Sequence, residues 1–165
     1  MDTAFSRCGR EQVPARRDSG LQIQFLNYFN DTTMNEQIEE FLAGGPHAVV
    51  GASTDRAKYG NKVLRVYQQN GRTVFPVHPT VDEIEGLTAY PDLASLPETV
   101  HGISVITPPA VTEKIVQQAA DLGIQHIWMQ PGAESEQAIE LARQSGINVI
   151  AGGPCLLVVL GFRDE

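Results

Sequence analysis

Two rhythms of apolar positions alternate along this chain. Short, mainly apolar runs occur at His47 to Val50, Thr73 to Val77, Ile103 to Ile106, His126 to Met129 and Ile147 to Ile150. Between them lie longer stretches in which apolar residues return every three or four positions. A run of four or five apolar residues suits a strand buried on both faces, and the 3.6-residue period suits one buried stripe of a helix. The spacing predicts helices over about 61–70, 110–122 and 135–145. Each ends at a glycine, at Asn70-Gly71, Gly123 and Gly146, where a left-handed residue closes a helix. An earlier helix opens on a T-x-x-E capping box, Thr33 and Glu36, ahead of Ile38, Phe41 and Leu42, and Gly44-Gly45-Pro46 stops it. A further brief strand fits Leu87 to Tyr90.

Strands that alternate with amphipathic helices build βαβ units and a parallel sheet. Six strands in this order predict an α/β, Rossmann-like doubly wound sheet with the order 3-2-1-4-5-6. Ligands of such sheets bind beyond the C-terminal ends of the strands, at the switch between the first and fourth. Those ends are Gly51-Ala52-Ser53, Val77-His78-Pro79, Ile106-Thr107-Pro108-Pro109, Gln130-Pro131-Gly132 and Gly152-Gly153-Pro154-Cys155. They are shaped by backbone more than by charged side chains. Pro108 and Pro109 suit the first turn of a helix and also offer a flat wall for an aromatic ring.

The first 33 residues stand apart, with Arg7, Arg10, Arg16 and Arg17 balanced by four acids and no periodic apolar face. They are expected to be a flexible or dispensable extension ahead of one domain over 34–165. The net charge of −8 therefore resides in that domain, and it argues against nucleic acid as a partner, because no basic stripe displaces counterions. No apolar run is long enough to span a bilayer, so a soluble, cytoplasmic protein with no membrane partner is expected. Cys8 and Cys155 imply no disulfide framework, and no Cys or His cluster has metal-ligand spacing. His47, His78, His101 and His126 sit near strand ends and read as surface or edge residues.

The stretch with the most chemistry is V-V-G-A-S-T-D-R-A-K-Y-G, from Val49 to Gly60. It reads as a strand, a small-residue turn at Gly51, Ala52 and Ser53, and a helix N-terminus. Unpaired N–H groups of a first helical turn point at an anion, and the helix dipole favours its charge. Arg56, Lys58 and His78 are the nearby cations. An NAD(P) site is the competing reading, but G-x-G-x-x-G is absent, and the second strand ends at His78-Pro79 where an acid would bind the ribose.

Five motifs in order carry a resemblance: G-A-S-x-x-x-x-x-Y-G, F-P-V-H-P, G-L-T-A-Y-P-D-L-A-S-L-P, V-I-T-P-P and W-M-Q-P-G. Over about Asn35 to Cys155 the chain resembles the stand-alone CoA-binding protein family, whose domain is similar to the N-terminal domain of the succinyl-CoA synthetase α subunit. The resemblance implies coenzyme A or an acyl-CoA as the small-molecule nucleotide ligand. Gly51, Ser53, Tyr59 and Gly60 would then meet the phosphates and Arg56 or Lys58 would neutralise them. His78 and Pro79 would flank the adenosine, with Thr107 and Pro108 on the opposite wall.

The related synthetases use a phosphorylated histidine from another domain, and no Ser-His-Asp order, carboxylate pair or metal cluster appears here. The reading is a CoA-binding protein without chemistry of its own, working with a protein partner or as a homo-oligomer. Two alternatives stand beside it: an NAD(P)-binding or redox-sensing protein, and a CoA-linked enzyme in which Cys155 is a nucleophile or forms a mixed disulfide. Cys155 departs from the family pattern in its surroundings, since Gly-Gly-Pro precedes it. The apolar segment Leu156 to Phe162 is a short helix, a packing segment or an oligomer contact.

Overall fold

The computed structural model describes residues 33–165. The N-terminal stretch expected to be an extension lies outside the described residues up to residue 32. The chain divides into Met1–Glu36 and Gln37–Glu165, and the architecture that follows is that of the second unit. Helix α1 covers 33–43. Thr33 is itself helical rather than the cap of the expected Thr33–Glu36 box.

Five parallel strands form the sheet: β1 (His47–Val50), β2 (Val74–Val77), β5 (Gly102–Val105), β6 (His126–Met129) and β7 (Asn148–Ile150), in the order β2-β1-β5-β6-β7. The register sets His47 against Val74 on one side and against Gly102 on the other. Helices α2 (Tyr59–Gln69), α3 (Pro109–Asp121), α4 (Glu136–Gln144) and α5 (Leu156–Leu160) make the crossovers and the C-terminal turn. Alternation along each strand divides the core. Ala48, Val50, Ile103, Val105, Ile127 and Met129 pack with Val116 and Ala119 of α3 and Ala138 and Ala142 of α4. Their neighbours in the strands face the other way. There Phe41 meets His47 and Trp128, and the Tyr67 hydroxyl bonds the Ser104 hydroxyl at 2.7 Å. Helices thus cover both faces, as the doubly wound reading requires.

The expected helix ends hold, each with a pair of tightening bonds across the glycine. After α2, for instance, Gly71 N–H donates to the Gln68 carbonyl and Arg72 N–H to the Tyr67 carbonyl.

One strand departs from expectation. Leu87 to Tyr90 does not add a sixth strand to the sheet. Leu87–Thr88 (β4) instead pairs antiparallel with Glu83–Ile84 (β3) across a turn at Glu85 and Gly86, both with positive φ. Such a two-residue turn matches the twist of a hairpin. Only Tyr90 reaches the edge of β2, in a single parallel bridge to Val77. The order 3-2-1-4-5-6 therefore survives with its third member reduced to one residue, and Pro91 follows at once.

Candidate functional site

Strand β1 ends at the middle of the sheet, between β2 and β5. Gly51 follows with φ of +95°, a conformation that only glycine adopts without strain. A Cβ there would lie 3.1 Å from the carbonyl group of Ile106, so the turn runs hard against the end of β5. This is the topological switch point. His78 follows the neighbouring strand on one side of Gly51, and Thr107 and Pro108 follow the one on the other.

The loop that leaves Gly51 is held by its own polar groups. Ser53 Oγ accepts from Asp55 N–H at 3.1 Å, and Asp55 Oδ1 accepts from Ala57 N–H at 3.0 Å. The Asp55 carbonyl accepts from Lys58 N–H at 3.0 Å. Ala52 is buried and anchors the turn. Helix α2 then starts two residues earlier than its apolar period indicates, which places Tyr59 and Gly60 in its first turn. Lys58 is the N-cap but offers no side-chain cap, and no acid stands in that turn. Among the described residues the N–H groups of Tyr59 and Gly60 have no acceptor. An acid-free helix terminus with open donors favours an anion.

Gly60 has a packing role as well: a Cβ on it would fall on the carbonyl oxygen of Gly51. Helix and turn approach too closely for any side chain.

Two residues that sequence reasoning passed over hold this arrangement. Asn61 is fully buried, and its Nδ2 donates to the Ser53 carbonyl at 2.8 Å and to Glu85 Oε1 at 3.0 Å. Its Oδ1 accepts from Arg65 Nε at 2.8 Å. Arg65, 5% exposed, extends Nη2 to the Arg56 carbonyl and Nη1 to Asp164, and lies over the Phe162 ring. The signal was available: Asn61 and Arg65 are polar residues four apart on the stripe that carries Leu64.

The three expected cations fare differently. Arg56 pairs with Glu85 at 3.2 Å and is largely exposed. Lys58 is exposed and enters no ion pair among the described residues. His78 Nδ1 accepts from the N–H groups of Thr80 and Val81, at 3.1 and 3.3 Å, which leaves Nε2 as the protonated nitrogen. His78 thus caps its own turn through Nδ1, with Pro79 exposed beside it. On the far wall Thr107 Oγ1 meets Thr112 Oγ1 at 2.9 Å, and Pro108 caps α3 with Pro109 at its first position.

Tyr59 reaches across the sheet edge rather than along the loop. Its hydroxyl donates to Gln130 Oε1 at 3.3 Å, and Leu156 N–H donates to the same oxygen at 2.8 Å. Burial, and then a hydrogen bond with the Cys155 thiol, push the Tyr59 hydroxyl well above its usual range. Cys155 is thus brought to the same edge as a free, half-buried thiol, with a tyrosine rather than a base beside it. Gln130 is fully buried, and among the described residues its Nε2 has no partner.

A cavity of about 450 Å³ lies at the opposite edge of the sheet, between Gly44, His47, Arg72 and Glu98. Backbone donors need no enclosing void to hold an anion. Among the described residues no group of His, Cys, Asp or Glu is arranged to hold a metal ion, and no helix is long and apolar enough to cross a membrane.

The acetate–CoA ligase (ADP-forming) I of Archaeoglobus fulgidus is 25% identical over 119 residues, 66% of this chain; the chain spans only 17% of that enzyme. An uncharacterised Bacillus subtilis protein, YneT, is 28% identical over 119 residues, 69% of this chain and 85% of its own length. Among solved structures, a conserved hypothetical protein from Pyrococcus furiosus superimposes with a TM-score of 0.65 and 39% identity, covering 68% of this chain and 97% of that one. Residues 47–161, from the first strand through α5 and Gly161, match the CoA binding domain family, and the chain belongs to it.

Proposed function

We propose that the protein binds coenzyme A or an acyl-CoA along the C-terminal edge of the sheet and performs no chemistry on it alone. The observation that carries this reading is the first turn of α2, whose free N–H groups and missing acids face the switch point between β1 and β5. The phosphates lie at Gly51 to Gly60, with Lys58 as the available cation. The adenosine lies toward His78 and Pro79, with Thr107 and Pro108 across from it. Membership of the CoA binding domain family supports the choice of ligand. So does the acetate–CoA ligase, of which this domain is a small part.

The end of β2 disfavours NAD(P): His78 and Pro79 stand where an acid would take the ribose hydroxyls. Titrating the full chain with CoA, acetyl-CoA, NAD and NADP by calorimetry and thermal shift tests the proposal. Ligand at 100 times its Kd adds about 2.7 kcal/mol of stability, well within reach of a melting curve. Saturable binding of CoA or acetyl-CoA without NAD or NADP is the expected result, and binding of NAD alone overturns it.

A further inference from the structure

Three of the four histidines, read from sequence as surface or edge residues, meet at the N-terminal edge of the sheet, opposite the proposed ligand site. The register sets the starts of β1, β5 and β6 side by side, and His47, His101 and His126 stand at or next to those starts. His101 and His126 stack with centroids 4.3 Å apart, and His47 meets His101 edge-on at 5.7 Å. His47 is only 1% exposed, between the rings of Phe41 and Tyr67.

These rings hold the end of α1. A helix leaves its last carbonyls without partners, and here three successive ones are taken by side chains from elsewhere. His101 Nε2 donates to the Glu40 carbonyl at 2.9 Å, His47 Nε2 to the Phe41 carbonyl at 2.8 Å, and Arg72 Nη1 to the Leu42 carbonyl at 2.8 Å. Asn148 links the same end of α1 to the sheet through Glu40 Oε2 and Gln37, at 2.8 Å each. The chain passes so close that a Cβ on Gly44 would fall on the His101 ring.

We propose that the His47–His101–His126 stack is an acid-operated catch: it fastens the end of α1 to the sheet at neutral pH and releases it when the stack takes up protons. Neutral rings can stack, donate to the carbonyls and remain buried. Two imidazolium rings at stacking distance repel, and a charged His47 would have lost its water. The surrounding charges do not cancel this. Arg72 adds positive charge next to His47, while Glu40 on α1 and Glu98 across the cavity are the acids nearby; Tyr67 stays neutral. The carbonyl end of the helix favours a cation, but burial outweighs it: His47 is held down at about 4, with burial as the largest cause, and His126 is lowered by burial and then by His101.

Amide hydrogen exchange of the full chain at pH 7.5 and 5.0, corrected for the intrinsic exchange rate, tests the catch. Opening of the amides of Ile38 to Leu42 is expected to rise at least tenfold relative to those of α3. The emission of Trp128, the single tryptophan, should shift to the red as Phe41 leaves its edge. In the double variant His101→Gln, His126→Gln the rise should fall below threefold. The proposal is overturned if α1 does not respond, if α3 opens equally, or if the double variant responds as the parent does. Should that variant fail to fold, imidazole NMR of the parent decides. His126 titrating below a free imidazole in step with α1 opening supports the catch; titration at the free value overturns it.

Discussion

The side-chain amide of Asn61 donates to the carbonyl oxygen of Ser53 at 2.8 Å, tying the first turn of α2 back to the loop that precedes it. The loop is otherwise bonded mainly to itself, so its position on the sheet edge depends on this contact and on Arg65 behind it. Asn61→Ala leaves the Ser53 carbonyl and Arg65 Nε without these partners. Stability should drop by about 1–3 kcal/mol, the usual penalty for stranded buried polar groups. CoA affinity should drop with it, as seen by denaturant titration and calorimetry on the same preparation.

Gly60→Ala tests the close approach of helix and turn. The added methyl meets the Gly51 carbonyl oxygen, and neither backbone has room to retreat. Overpacking of this kind costs about 1–3 kcal/mol and here displaces the donors themselves. CoA binding should weaken by more than the melting temperature implies. Retention of full affinity would mean that the first turn of α2 does not hold the phosphates.

Lys58→Gln separates charge from architecture. The residue is exposed and unpaired among the described residues, so the melting temperature should stay unchanged. CoA affinity should fall about tenfold, because a charge-assisted contact to phosphate is stronger than a neutral one. The loss should shrink as KCl is raised, since salt screens an exposed pair.

Stability should also fall on mild acidification. Burial holds His47 down at about 4 in the folded protein, against the ordinary 6.5 of a free imidazole. The unfolded chain therefore binds the proton first. This contribution is complete above about pH 6.5 and is lost as pH falls toward 4, by about 3 kcal/mol in total. Urea midpoints at pH 7.5 and 4.5 measure it, and His47→Gln should flatten the difference.

The apolar pattern alone specifies the parallel sheet and the position of its switch point. Four-residue apolar runs can only be buried on both faces, and glycines after each helix leave little choice of boundary. The Gly51 turn and the β1–β5 switch point follow from that order. Relations between positions far apart in the chain follow only from the packing. Asn61 and Arg65 lie on the buried stripe of α2, but their partners, the Ser53 and Arg56 carbonyls, come within reach only when the loop closes over them. Leu87 had the pattern of a strand, but Glu85 and Gly86 turned it into a hairpin first. His78 is a nearby cation by sequence, and only the folded turn sets its Nδ1 to accept two backbone N–H groups. Tyr59 belongs by motif to the phosphate loop, yet its hydroxyl reaches Gln130, 71 residues away. The histidines are the sharpest case. Nothing in their spacing relates His47, His101 and His126, because strand register, not sequence period, brings three separate strand starts to one edge.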